Sequence, residues 1–417
     1  MISQRTAGIL GTALVLALGA FLTAPAAAQT TTPYVHLDRH ETYKRFSEAR
    51  VKDGVAVQQA QDGGGLVRLG TNPRAATDSS NTYNGGRYYY GTLVSRVYEP
   101  RRAFDVLVPS WNARTPKGTW LKLDVRVRSG GKWSAWFTVG IWASGTPDIK
   151  RRSVSKQNPR WEVDVDTLRG RNGAQAGAYQ YRLRLMSATR DRSPVVRKLA
   201  FATSQSWKHG RPIGVPALER AWGKNLNVPA RSQMVYPDGG EVWCSPTSLA
   251  MVMQYWAART GQKNLDQSVP AVARGVRDFS YGWGNWPFNT AYASAYGLEG
   301  TVSRFAQIEQ VERWIDAGIP VIASVAWNNN HSGQRLSGAP LRVSYGHLLV
   351  IRGFTRSGDV IVNDPAGADD SKVRRVYDRA EFERAWLRNP YSSGGAVYLI
   401  HPRGWATPGS YAARGSW

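Results

Sequence analysis

Val242-Trp243-Cys244-Ser245-Pro246-Thr247-Ser248-Leu249-Ala250-Met251 holds the single cysteine of the 417-residue chain and reads as the start of a helix. Ser245 is a capping residue type, and Pro246 suits the first helical position, where a missing N–H costs nothing. Leu249, Val252, Met253 and Trp256 come next at three- and four-residue spacing, which predicts one apolar stripe. A thiol at a helix N-terminus sits in the positive end of the dipole, which favours thiolate and prepares a nucleophile. The competing use of a lone cysteine is as a small buried hydrophobe. The histidines and carboxylates of the same chain decide between the two.

A thiolate nucleophile needs a base that takes and returns its proton, and the base needs an orienting group. Of six histidines, His36 and His40 lie in a polar N-terminal segment, His209 in a linker, His331 in a polar loop and His401 near the C-terminus. His347 differs. In Tyr345-Gly346-His347-Leu348-Leu349-Val350-Ile351 it stands at the mouth of an apolar strand, beside a glycine that would permit close approach. The next strand, Val360-Ile361-Val362-Asn363, ends at Asp364-Pro365. A hairpin through Arg356-Ser357-Gly358-Asp359 returns Asp364 towards His347, where it can accept the imidazole N–H and fix the tautomer.

With these residues in place, the stretch from about Val228 to Tyr398 resembles the C39-like cysteine peptidase family, which has a papain-like fold. The resemblance rests on Cys244 to Met251, on Gly346-His347-Leu348-Leu349-Val350-Ile351-Arg352-Gly353 and on Val362-Asn363-Asp364-Pro365. It implies that Cys244 is the nucleophile, His347 the general base and acid, and Asp364 the orienting carboxylate. The family has glycine directly after the cysteine, where this chain has Ser245. It also places an oxyanion-stabilising glutamine upstream; Gln233 is the candidate, with a long separation from Cys244, and the Cys244 backbone N–H is the other donor. No metal or organic cofactor is implied. The reaction expected is amide hydrolysis through a thioester. A cell-wall amidase or transpeptidase on the same fold, and a non-catalytic envelope-binding protein, are the alternatives.

Upstream the patterning changes to β. In Trp120-Leu121-Lys122-Leu123-Asp124-Val125-Arg126-Val127-Arg128 apolar and charged residues alternate, as in a strand with one wet face. Ser129-Gly130-Gly131-Lys132 reads as a turn into a second strand ending at Trp142, and Tyr179 to Leu185 and Val195 to Ala202 add more. Short strands between Gly/Pro-rich turns predict an antiparallel β-sandwich over residues 91–205. Its tryptophans (Trp111, Trp120, Trp133, Trp136, Trp142 and Trp161) either stack on sugar rings at an exposed face or fill the core. Residues 29–90 read as a polar segment without strand alternation and 206–227 as a linker. The α+β peptidase domain is expected over 228–405, and 406–417 form a tail.

Residues 1–28 have the pattern of a secretory signal, with Arg5, the apolar run Ala7 to Leu22, and Ala26-Ala27-Ala28 before the cleavage point. No later run is apolar enough for a transmembrane anchor, so a secreted or envelope-associated protein is expected. A formal net charge of +24 suits an anionic envelope polymer or glycan as a binding partner of the basic N-terminal half, with peptide or cell-wall peptide as substrate. The basic residues are scattered, without a nucleic-acid-binding motif.

Overall fold

The leucine–valine alternation of residues 120–128 produces what it predicts. In the computed structural model, which describes residues 35–145, 149–206 and 211–409, the strand Thr119–Ser129 pairs antiparallel with Ala178–Ser187, placing Leu123 opposite Leu183 and Val125 opposite Tyr181. Leu121, Leu123, Val125 and Val127 are all fully buried. Arg87–Val94 and Phe137–Trp142 extend this sheet on either side. A second antiparallel sheet is built on Val106–Arg114 and Val195–Ser204, with Trp111 opposite Leu199. The two sheets meet face to face, Tyr181 of the first stacking on Phe201 of the second at 5.1 Å. Trp111, Trp120, Trp142 and Trp161 are buried. Trp133 and Trp136 are half-buried, with the Arg126 guanidinium 4.5 Å and 4.7 Å from their rings.

The expectation of a polar segment without strands before residue 91 is corrected for its described part. Val35–His40 pairs with Val195–Ser204, and Val55–Gln59 pairs with Gly65–Leu69 in the same sheet. The alternation is hidden because polar side chains fill inward positions here. His40 is fully buried; its Nε2 donates to the Tyr179 hydroxyl at 3.2 Å, and that hydroxyl donates to Asp38 at 2.8 Å. Hydrogen bonds replace apolar packing at these sites, and a hydropathy pattern does not register them. The signal-like stretch 1–28 lies outside the described residues.

The second half comprises α1 (Cys244–Thr260), α2 (Val269–Val276), α3 (Trp286–Ala295), β1 (Leu298–Arg304), α4 (Glu309–Asp316), β2 (Val321–Asn328), β3 (Val343–Phe354), β4 (Val360–Asn363), β5 (Arg374–Tyr377), α5 (Arg379–Glu383) and β6 (Ala396–Pro402). The strands form one antiparallel sheet in the order β1-β6-β2-β3-β4-β5. Among the described residues no helix is long and apolar enough to cross a membrane.

The described part of the linker is docked. Ile213 and Val215 N–H groups donate to Gln307 Oε1 (2.8 and 3.2 Å), and the Leu218 N–H and the Trp222 indole donate to the buried Glu312 carboxylate (2.7 and 2.9 Å). The halves also share a core. Phe288 of α3 packs 5.1 Å from Trp142 and 6.0 Å from Trp111. All three rings are fully buried, and burial of such a side chain stabilises by about 2–3 kcal/mol. Beside them Asn112 donates to the Gly300 carbonyl (2.6 Å) and accepts from the Gly300 N–H (3.2 Å), so one side chain reads both polar groups of a β1 residue.

Candidate active site

Helix α1 starts at Cys244 itself. Trp243 is the N-cap, and its carbonyl accepts the Thr247 N–H at 2.9 Å. Ser245 therefore lies inside the first turn and does not cap; buried, it shares a 3.0 Å hydrogen bond with the Tyr398 hydroxyl. The expected single apolar stripe is also corrected, since every residue from Ser245 to Trp256 is buried. A helix enclosed on all sides is held against rotation, which a one-sided stripe would not ensure. The Ser248 hydroxyl donates to the Leu348 carbonyl at 3.0 Å, pinning α1 to β3 one residue from His347.

His347 pairs with Val325 of β2, and the register then slips so that Tyr345 faces Ala326. Gly346 is the extra residue, with φ +116°. A Cβ there would meet nothing within 4 Å, so glycine is required by the backbone turn of the bulge and not by close approach. The bulge lies within a twelve-residue strand, which re-aims the imidazole from a rigid sheet. The ring is 3% exposed and stands edge-on to Trp327, 5.4 Å away.

The hairpin between β3 and β4 forms with Val350 opposite Asn363. It brings Asp364, fully buried, to His347, whose Nε2 donates to Asp364 Oδ1 at 2.7 Å. That bond leaves Nδ1 free for the Cys244 thiol, on which the imidazole acts to lower its pKa. Asp364 Oδ1 accepts the Ala366 N–H at 3.0 Å, and Oδ2 accepts the Tyr377 hydroxyl of β5 at 2.7 Å. Both carboxylate oxygens are thus paired, which a buried carboxylate requires.

The electrostatics of the site have identifiable causes. Burial pushes the Cys244 thiol up, but the hydrogen bond and charge of His347 outweigh it and hold the thiol below its ordinary value. Burial pushes His347 down, and Asp364 overrides it, so the imidazole holds its proton well above the usual histidine range. Burial would raise Asp364, yet His347 and Tyr377 keep it low. All three directions favour a thiolate–imidazolium pair.

Gln233 is buried, and its Nε2 donates to the Glu241 carbonyl at 2.8 Å, three residues before Cys244. The long sequence separation is taken up by a loop that doubles back. A Cβ at Gly240 would lie 2.1 Å from the Gln233 carbonyl, so only glycine allows the return. Gln233 is not among the residues lining the cleft at Cys244.

The half-buried Cys244 opens into a cleft of about 310 Å³. Its lining includes Tyr281, Tyr345 and Tyr391, each more than half exposed. The N-terminal half also contributes, through the turn Asp164-Val165-Asp166-Thr167. Asp166, buried, accepts the Trp286 N–H at the start of α3 (2.7 Å) and the Thr167 hydroxyl (2.9 Å). Burial raises its carboxyl to about 7. Val165 has φ +56°, a conformation costing a β-branched residue on the order of 1–3 kcal/mol. Reasoning from sequence misses Tyr377, Tyr398 and Asp166. Aspartate in a hairpin turn and tyrosines in strands are ordinary, and only their partners distinguish them.

Residues 225–393 match the Peptidase C39-like family, and residues 36–204 match the Peptidase C39 N-terminal domain. No curated protein matches the chain. Among solved structures, a double glycine motif protease from an AMS/PCAT transporter, in complex with its leader peptide, is 23% identical. It covers 43% of this chain and 94% of its own, with a TM-score of 0.28. A C39-like peptidase from Bacillus anthracis is 20% identical, covering 42% and 96%, with a TM-score of 0.30. The C-terminal CBM6 of the laminarinase LamC from Zobellia galactanivorans is 9% identical, covering 40% and 98%, with a TM-score of 0.21. Cys244, His347, Asp364 and Gln233 all fall within the stretch matched to the C39-like family, and the C-terminal half of this chain is accordingly a C39-like peptidase domain, preceded by the N-terminal domain matched to peptidase C39 proteins.

Proposed function

We propose that the chain is a secreted cysteine peptidase that hydrolyses amide bonds through Cys244, His347 and Asp364, on a papain-like α+β domain carried by an N-terminal β-sandwich. The observation that carries this reading is the hydrogen-bonded chain from the Tyr377 hydroxyl through Asp364 to His347, an imidazole that lowers the pKa of a thiol at the first residue of a buried helix. In the reaction, Cys244 Sγ attacks the scissile carbonyl carbon, forming the C–S bond. The imidazolium gives its proton to the leaving amine as the C–N bond breaks. His347 then takes a proton from water, whose oxygen attacks the thioester and frees the thiolate. Asp364 stays ionised and orients the ring throughout. Gln233 gives one amide N–H to Glu241 and does not line the cleft, so we assign the oxyanion to the Cys244 backbone N–H, which the first turn of a helix leaves without an intrahelical partner.

Peptides of the cell envelope are the substrates we favour, because the signal-like N-terminus and the charge of +24 would hold the protein beside an anionic surface. The test is hydrolysis of an unfolded protein and of cell-wall peptide fragments by the wild type and by Cys244→Ala. Cleavage of either lost in Cys244→Ala supports the reading. Cleavage of wall fragments alone narrows it to an amidase or transpeptidase. Cleavage of neither, or equal cleavage by both proteins, overturns it.

A further inference from the structure

The N-terminal domain does not stand apart from the chemistry, because its turn at residues 164–167 lines the same cleft as Cys244. The turn is held in a strained form: Val165 is kept at φ +56° by its neighbour Asp166, which is anchored across the domain junction on the Trp286 N–H at 2.7 Å. Such strain persists only where the surroundings over-determine it. The turn also presents an exposed carboxylate. The Asp164 side chain is 64% exposed, and the nearest cation, Arg169 Nε, is 3.8 Å away, beyond a hydrogen bond. The cleft lining also carries three exposed tyrosine rings, of which Tyr345 and Tyr391 lie 4.3 Å apart. Aromatic faces together with a carboxylate form the chemistry that receives an ammonium or guanidinium group. The cleft lining holds Asp164, Asp166 and Arg169; burial raises the Asp166 carboxyl to about 7, which leaves Asp164 as the exposed anionic group of the cleft.

Resting on the peptidase reading above, we infer that the turn at 164–167 is a specificity wall, and that Asp164 with the Tyr281, Tyr345 and Tyr391 rings selects peptides bearing a lysine or arginine side chain, or a free amine, beside the scissile bond. The N-terminal domain then sets which substrates reach Cys244. It does so by contact within the cleft.

The test uses the full chain and blocked peptides in which one lysine is scanned along the sequence, each paired with its norleucine counterpart. Hydrolysis is measured together with protection of Cys244 from iodoacetamide by the same peptides. The best lysine peptide should exceed its norleucine partner roughly tenfold in kcat/KM, mostly through KM. Asp164→Asn should remove the preference while leaving alkylation of the free enzyme unchanged. Asp191→Asn, an exposed carboxylate outside the cleft lining, should keep it. Equal turnover of both peptides by wild type, or a preference intact in Asp164→Asn, overturns the inference and leaves the peptidase reading standing. Should no peptide be cut, the peptidase reading fails and protection decides. Stronger protection by lysine peptides that is lost in Asp164→Asn supports the specificity wall, and equal protection overturns it.

Discussion

Replacing Asp364 with asparagine removes one negative charge and almost no volume from a fully buried site. The carboxylate accepts from His347 Nε2 at 2.7 Å, Tyr377 OH at 2.7 Å and Ala366 N at 3.0 Å. An amide keeps an acceptor for His347 and turns a donor towards the Tyr377 hydroxyl. A hydrogen bond to a charged group is worth about 1.5–3 kcal/mol, and one pKa unit is about 1.36 kcal/mol. The imidazolium should therefore lose about one to two units of basicity, and the thiolate it supports should weaken in step. Iodoacetamide alkylation of Cys244 at pH 6 should fall roughly tenfold to a hundredfold, while at pH 10, where the thiol ionises unaided, the two rates should agree within about threefold. Stability carries a second sign. The folded-state pKa of Asp364 is depressed, so its contribution is present above the ordinary carboxylate range and is lost as pH falls through the lowered value. Urea denaturation should thus separate the proteins at pH 7 and bring them together in strong acid. Equal alkylation rates at pH 6 would refute the claim that Asp364 charges the imidazole.

Three further perturbations test the scaffold. Gly346→Ala forces a Cβ onto a residue at φ +116° and should cost at least about 1 kcal/mol, lowering Cys244 alkylation at pH 6 more than the urea midpoint, because the bulge aims His347. Glu312→Ala leaves the Leu218 N–H, the Trp222 indole and one bond from Arg379 unpaired; denaturation should show a loss of about 3 kcal/mol, and limited proteolysis should open the segment at 211–227. Asp166 has its folded pKa raised to about 7 by burial, so the folded state holds a proton the unfolded chain releases, and stability falls as pH rises from about 4 to 7. Asp166→Asn should flatten that fall, raising the thermal midpoint at pH 8 but not at pH 4.

Much of the site is legible in the sequence because its residues announce themselves by type and by neighbouring pattern. A cysteine before Ser-Pro-Thr opens α1 and an aspartate before proline follows the end of β4, while the histidine entering Leu-Leu-Val-Ile lies inside β3, which starts at Val343. The hairpin joining His347 to Asp364 comes from strand lengths alone. The reason for Gly346 is not legible, because a bulge is defined by the register of a partner strand. Ser245 looks like a cap because its type suits one, but the cap is Trp243, two residues earlier, and the Ser245 hydroxyl pairs with Tyr398. Strand Val35–His40 is hidden by His36, Asp38, Arg39 and His40; Asp38 and His40 find their partner, Tyr179, about 140 residues away in sequence. The turn at Val165 reaches the cleft only through packing between the two halves, which local sequence does not encode.

That His347 holds Cys244 as a thiolate is tested by the pH dependence of iodoacetamide alkylation in wild type and His347→Ala. The wild-type rate should persist to about pH 6, well below the ordinary thiol pKa of about 8.5. In the variant, burial is opposed only by the backbone N–H groups of Leu348 and Ser245, and the profile should move up to the ordinary thiol range or above it. Superimposable profiles in the two proteins, both matching an ordinary thiol, would contradict the account.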